Sequence, residues 1–259
     1  MKTIVPDLPS ATYHAHPAVS KSVLDKIARS PLHARAYLDG ARDEPTASMN
    51  FGTALHCAVL EPHRFANEYA VWEGDRRTKE GKAAYEALQA TGATLISRDD
   101  HDAISAMAMS IQQHPVAAAM LTNGQPEASV FWKHNGIECK CRPDWLRRDG
   151  VVVDLKTTED ASPAAFARSV AAYRYHVQAA HYLAGTQAES FVFIAIEKKA
   201  PYAVAVYELD ADSLQIGQRL RERDLDQYAS CLEFNQWPGY PAQVQKLALP
   251  KWAVTGSDE

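Results

Sequence analysis

The chain has 259 residues, of which 46% are hydrophobic and 23% charged, with a formal net charge of −5. That composition supplies a sizeable core, and the mild negative charge argues against a non-specific nucleic-acid coat without excluding a local basic groove. No apolar run approaches the roughly 18 residues of a membrane span, and residues 1–6 carry no export-type apolar segment. The expectation is therefore a cytoplasmic protein with no membrane part, whose four cysteines are reduced thiols.

The length suits a single domain over 1–259: a mainly helical part (1–125), a sheet-and-helix part (126–235) and a C-terminal extension (236–259). Residues 1–19 contain Pro6, Pro9 and Pro17 without clear periodicity and read as an extended arm. Ser20 and Ser22 resemble N-caps for a helix over Val23–Arg29. Ser30-Pro31 restarts a second helix, with serine at the cap and proline at the first helical position. Free N–H groups at such ends donate to the cap side chain or also to a phosphate, and simple capping is the favoured reading.

Asn50–Leu60 carries a helical pattern in which Gly52 and His56 share a face. Glycine inside a helix costs roughly 1 kcal/mol against alanine, which suggests close approach of a backbone or ligand. On spacing alone, a lone helical histidine such as His56 is more often a satisfied core residue than a ligand, and the ligand role is the minority reading. Residues 72–82 are polar and basic (Arg76, Arg77, Lys79, Lys82) and lead into a helix near Lys79–Thr91. They read as a solvated face or as a contact to a nucleic-acid backbone. A further helix is expected over Asp99–Gln113, and a short one after His114-Pro115 to Leu121. Asn123-Gly124-Gln125-Pro126 is turn chemistry.

From Glu127 the pattern becomes strand-like. Glu127–His134, Ile137–Leu146 and Val151–Thr157 predict an antiparallel meander, with turns at Asn135-Gly136 and Asp149-Gly150. Ser162-Pro163 opens one long helix to about Ala184, stopped by Gly185. Strands follow at Glu189–Glu197 and Tyr202–Leu209, then a helix over Leu214–Leu232, and the tail through Glu259 reads as disordered. The fold class is thus α/β, a mixed central sheet flanked by helices with a helical N-terminal region.

Alternation along the strands concentrates the chemistry. Val152, Asp154 and Lys156 share one face of their strand, and Val151, Val153 and Leu155 the other. On the preceding strand, Glu138, Lys140, Arg142 and Asp144 share a face. Two carboxylates and an ammonium converging beside an apolar strand pair suit a hard cation and an oriented water, the chemistry of phosphodiester hydrolysis. Between Lys133 and Lys156, six basic residues (Lys133, Lys140, Arg142, Arg147, Arg148, Lys156) face four acidic ones (Glu138, Asp144, Asp149, Asp154). With the acids engaged on metal, that balance favours an anionic substrate. The charges also sit where a strand gives way to Thr157-Thr158 and a helix, an edge where α/β active sites are common.

Pro143-Asp144 with Asp154-x-Lys156 resembles the PD-(D/E)xK nuclease signature. Gly52-x-x-x-His56, Glu127 and Gln178-x-x-x-Tyr182 resemble the accessory motifs of its RecB-like branch. Closer still is the exonuclease domain of RecE (exodeoxyribonuclease VIII) and its phage relatives. That likeness rests on Ser20-Lys21-Ser22 with Ser30-Pro31, Phe51 to His56, Arg76 to Lys82, Asp154 to Thr158, Tyr173 to Gln178 and Trp237-Pro238-Gly239. It spans residues 12 to 252.

The resemblance implies a Mg²⁺-dependent exonuclease, with Mn²⁺ as a substitute ion, encoded by a bacterium, prophage or phage. Such an enzyme digests linear double-stranded DNA 5′→3′ and leaves 3′ overhangs for a single-strand-annealing recombinase of the RecT type. It also implies a homo-oligomeric ring, tetramer favoured over trimer. Carried over by motif, Asp144 and Asp154 bind metal, with the Leu155 carbonyl as an extra ligand, and His56 and Glu127 add metal or water contacts. Lys156 positions or activates the attacking water, while Gln178 and Tyr182 hold the scissile strand or orient Lys156. Two Mg²⁺ roughly 3.5–4 Å apart would flank the phosphate. Ser20, Ser30, Arg76, Arg77, Lys79, Arg142, Thr157 and Tyr175 are the candidate DNA contacts. Asp154 departs from the pattern, since many relatives carry glutamate there and its side chain is one methylene shorter.

Some RecB-like nucleases carry an iron–sulfur cluster. Here Cys139 and Cys141 fall on an apolar strand face and no C-x-x-C pair exists, so Cys57, Cys139, Cys141 and Cys231 read as thiols. Rival readings are a structure-specific or restriction-like endonuclease on the same fold, and a DNA-binding scaffold without catalysis.

Overall fold

A computed structural model describes residues 2–41, 44–75 and 77–249. Arg76 and the expected disordered tail beyond 249 lie outside the described residues. The N-terminal segment corrects the first expectation, because it is structured. Strand β1 (Thr3–Val5) leads to helix α1 (Ser10–Ala15), then α2 (Lys21–Arg29) and α3 (Pro31–Leu38). β1 is legible only through its partner, since three residues are too few to show a period.

Helix α4 (Ala47–Leu60) begins earlier than expected, where Thr46 accepts from Met49 N. Helix α5 (Pro62–Glu68) runs into strand β2 (Tyr69–Trp72); after α6 (Lys79–Ala90), strand β3 (Thr94–Ser97) pairs with β2 in parallel. Neither the helix nor the strand pair was expected. Helices α7 (Arg98–Gln113) and α8 (Pro115–Met120) follow, the first capped by Ser97 and the second by His114.

Strand β4 (Gly124–Pro126) occupies the expected turn. The meander then splits at Arg142-Pro143-Asp144 into two sheets. β5 (Ser129–His134) and β6 (Ile137–Cys141) form a hairpin to which β1 adds, giving the order β1-β5-β6. β7 (Trp145–Arg147) and β8 (Val151–Thr158) belong instead to a five-stranded sheet completed by β9 (Ser190–Glu197) and β10 (Val204–Glu208), in the order β10-β9-β8-β7-β4. Pro143 has no N–H for a ladder, so one long strand cannot pass through it. β8 and β9 run parallel, Val151 opposite Ser190 through Thr158 opposite Glu197, and the other pairs in this sheet are antiparallel.

The expected single helix after Ser162 is two: α9 (Pro163–Ala172) and α10 (Tyr175–Thr186), broken at Arg174 with φ 55°. Gly185 does not stop α10; it makes room for the Trp132 ring, which an added Cβ would strike. The last helix, α11 (Ala211–Phe234), crosses α10 so closely that a Cβ on Gly217 would meet the His176 carbonyl.

One face of the main sheet packs Val153, Leu155, Ile194 and Ile196 against Ala54 and Leu55 of α4 and Ile104 and Met107 of α7. The other packs Val152, Phe191 and Phe193 against Phe166 and Ala179. A third cluster joins β5 and β6 to α2, α10 and α11 through Trp132, Cys139, Cys141, Leu24 and Leu225. Cys139, Cys141 and Cys231 are buried free thiols, and Cys57 is half-buried. The α/β expectation of a mixed sheet flanked by helices is borne out. Among the described residues no helix is long and apolar enough to cross a membrane.

Candidate active site

Strand β8 presents its polar residues to α10 in register. Asp154 lies against Gln178, whose side-chain amide donates to Asp154 Oδ1. Lys156 Nζ sits 2.6 Å from Asp154 Oδ2 and 4.7 Å from the centroid of the Tyr175 ring. The period of two along the strand meets the three- and four-residue spacing of the helix here. Asp154 is only 1% exposed, so its charge depends on these partners.

Asp144 follows the Pro143 break and enters the same region from the other side. Its Oδ2 accepts from Leu155 N at 2.7 Å and lies 3.5 Å from His56 Nδ1 on α4. The structure thus gives Leu155 a donor role through its N–H. Glu127 sits between β4 and β5 with φ 50°, held by its N–H on the Asp144 carbonyl at 3.1 Å. A non-glycine residue there costs on the order of 1–3 kcal/mol and persists where its surroundings fix it, as functional sites do. Arg142 Nε donates to Glu127 Oε2 at 2.7 Å, and its Nη1 to the Leu8 carbonyl at 3.0 Å.

His56, Glu127 and Asp144 each offer a ligand atom within 4.8 Å of one another. One imidazole nitrogen and two carboxylate oxygens fit a hard divalent cation. Asp154 stands outside that trio, paired with Lys156 and Gln178 instead. It adjoins the trio through Asp144, whose Oδ2 accepts from the next residue's N–H, Leu155 N.

The electrostatics follow from crowding acids out of water. Burial and the adjacent Asp144 push the Glu127 carboxyl up to about 7 despite Arg142. Burial raises Asp154 to about 6, against the pull of Lys156. For Asp144 the burial penalty is outweighed by His56, Lys156 and the Leu155 N–H, which hold it below the usual carboxylate range. Burial opposes charge on His56, but Asp144 overcomes it and lifts the imidazole to about 9.

Other expected residues divide clearly. Tyr182 is half-buried between the second and third clusters and lines a cavity of about 470 Å³ with Tyr13, Lys21, Glu127 and Arg142. Ser20 lines the same cavity, heading α2 without a side-chain cap bond. Ser30 is buried and caps α3, its Oγ accepting from His33 N at 3.4 Å and lying 2.6 Å from His33 Nδ1. Arg142 is likewise occupied inside the protein, as the partner of Glu127. Arg77 and Lys79 are exposed before and at the start of α6, and no described contact joins them to the carboxylates. Thr157 lines a smaller groove beside Tyr175.

Sequence reasoning missed Lys21, whose Nζ donates to the Tyr173 carbonyl at 2.8 Å and lies 5.9 Å from the Tyr175 centroid. It also missed Lys140, whose ammonium is buried on the carbonyls of Tyr13 and His16 at 2.6 and 2.7 Å. Strict alternation would have put Lys140 on a polar face, and only the N-terminal segment explains its burial.

Residues 20–249 match the model of a family described as a PDDEXK-like domain of unknown function (DUF3799). A crystal structure of a "Putative exonuclease" from Eubacterium rectale superposes with a TM-score of 0.61 at 15% identity, covering 97% of this chain and 99% of that one. At that identity the likeness shows the fold. The crystal structure of SSO0001 aligns over 80% of this chain and 85% of its own at 19% identity, but its TM-score of 0.30 carries no argument. No curated protein matches the sequence.

Proposed function

Because the chain belongs to the PDDEXK-like family DUF3799 and has the PD-(D/E)xK nuclease fold, we propose that it is a Mg²⁺-dependent exonuclease of RecE type. The reading is digestion of linear double-stranded DNA 5′→3′ to leave 3′ overhangs. The observation that carries it is the His56–Glu127–Asp144 trio lying beside the Asp154–Lys156–Gln178 group on β8, with Asp144 accepting from Leu155 N between them. Polarity, overhangs, a ring-shaped oligomer and an annealing recombinase of RecT type are supported by the motif resemblance across residues 12 to 252.

His56, Glu127 and Asp144 would hold the cation. Bound there, it supplies Lewis-acid polarisation of the phosphoryl oxygen and acidifies water. The chain's own groups do the rest. Lys156, clamped by Asp154 and the Tyr175 ring, places a donor beside the trio and offsets negative charge growing on the phosphate. Gln178 fixes Asp154, and through it the ammonium. Hydrolysis joins a water oxygen to phosphorus, breaks one bridging P–O bond and delivers a proton to the departing sugar oxygen.

The test is digestion of end-labelled linear duplex, with and without a 5′ phosphate, beside closed circular duplex, in Mg²⁺, Mn²⁺ and chelator. Metal-dependent release of nucleotides from linear DNA only is expected. Cutting of the closed circle would replace this reading with an endonuclease, and inertness on both would leave a binding scaffold.

A further inference from the structure

The break between α9 and α10 sets two tyrosines face to face beside the catalytic lysine. Tyr173 and Tyr175 stack with centroids 5.5 Å apart and planes 26° apart. Tyr175 is the inner ring, bearing the Lys156 ammonium and lying 5.9 Å from the Phe193 centroid. Tyr173 is the outer one and is 62% exposed.

The outer ring is mounted firmly. Tyr173 N donates to Ser169 O at 2.9 Å, and its carbonyl accepts from Lys21. The left-handed Arg174 that follows bonds the Leu24 carbonyl at 3.1 Å and pairs with Asp25 and the fully buried Asp224. Three helices therefore fix the backbone that carries this exposed ring, and the ring itself rests on Tyr175.

A groove of about 200 Å³ opens beside it, lined by Thr157, Thr158, Glu159 and Ser169 together with the two tyrosines. That is below the roughly 300–1,000 Å³ of a pocket for a drug-sized ligand and suits one planar ring system. Glu159 and Asp160 line the groove, and its one lysine, Lys198, is already engaged by Glu159 at 3.2 Å and by Ser48 Oγ at 3.1 Å, a balance that disfavours a phosphate there. A base fits this chemistry and a backbone does not.

We propose that Tyr173 is the stacking platform for one nucleobase of the bound strand, adjoining the phosphate at Lys156. The inference rests on the DNA-cleaving reading above and adds a subsite to it. Stacking tolerates every base, because each has a π-face, so the subsite grips the strand without imposing a sequence. Tyr175 links the two functions, with the reacting end of Lys156 on its ring and the base platform stacked against it.

The experiment uses the full chain in chelator with linear duplexes carrying 2-aminopurine at each of the four terminal nucleotides in turn. Quenching at one position is expected. Tyr173→Ala removes that quench and raises Kd about 10-fold, while Tyr173→Phe keeps both. An abasic site at that position weakens wild-type binding by a similar factor and leaves Tyr173→Ala unaffected. Equal affinity of wild type and Tyr173→Ala, or indifference to an abasic site at every position, overturns the platform. A protein that cuts linear duplex yet fails these tests loses the platform alone; one that cuts nothing loses the reaction on which the platform rests.

Discussion

The side-chain amide of Gln178 donates to Asp154 Oδ1 across a helix–strand interface between residues 24 apart in the chain. The amide thereby fixes the carboxylate that holds Lys156, and it does so in a site where Asp154 is almost wholly buried. On the proposed reading Gln178 positions that carboxylate without touching the substrate. Gln178→Met keeps its length and removes the donor. Loss of a group that orients an active-site carboxylate typically costs 10–100-fold, so kcat on linear duplex should fall by that factor with little change in KM. An unchanged kcat would remove Gln178 from the mechanism.

Asp154→Asn and Lys156→Ala should each abolish cleavage while leaving the fold and DNA affinity largely intact. The check pairs single-turnover digestion with circular dichroism and binding in chelator. Wild-type rates in either variant would sink the assignment of this pair.

Metal removal should be visible without DNA. A cation bound by the folded trio stabilises by mass action, about 2.7 kcal/mol at 100 times Kd. Thermal unfolding with and without millimolar Mg²⁺ or Mn²⁺ should show that gain in wild type and lose it in Asp144→Asn and in His56→Ala. A full metal shift in Asp144→Asn would place the ion elsewhere.

His181 gives the chain a specific acid sensitivity. Its Nδ1 accepts from Arg221 Nε at 3.3 Å and its Nε2 lies 3.1 Å from the Lys140 carbonyl, a pattern that needs the neutral ring. Burial and Arg221 lower its pKa to about 3. The folded state thus binds fewer protons than the unfolded one between about pH 6.5 and 3. Stability is present above the unfolded value and is lost as pH falls through that window. Denaturant unfolding at pH 7 and pH 5 should show wild type losing about 2 kcal/mol more than His181→Gln. Equal losses would mean that His181 takes up its proton without unfolding.

Gly217 is a packing requirement. Gly217→Ala would force α11 off the His176 carbonyl, and overpacking of this kind typically costs about 1–3 kcal/mol. A fall in Tm of several degrees is expected for a chain of this size, and an unchanged Tm would show that the two helices separate freely.

Much of this protein was legible in the sequence by itself. The alternation of Val151 through Lys156 set which residues face together, and the structure keeps that division: Val153 and Leu155 in one cluster, Val152 in another, with Asp154 and Lys156 turned to α10. Local chemistry also marked the cap at Ser30 and the start of α9 at Pro163. These follow from nearest-neighbour rules, in which a period of two or a proline at the first turn needs no distant partner.

Tertiary structure decided the rest, and the reason is reach. Pro143 ends the continuous ladder, but the sheet that β5 and β6 then form is completed by β1, whose three residues carry no signal of their own. Arg174 breaks the long helix where Asp25 and Asp224 wait on α2 and α11. Arg142 serves Glu127, Lys140 is buried on N-terminal carbonyls, and Asp154 joins Lys156 and Gln178 outside the His56–Glu127–Asp144 trio. A charged residue announces itself in a sequence, but its partner is chosen by what the fold brings within about 3 Å.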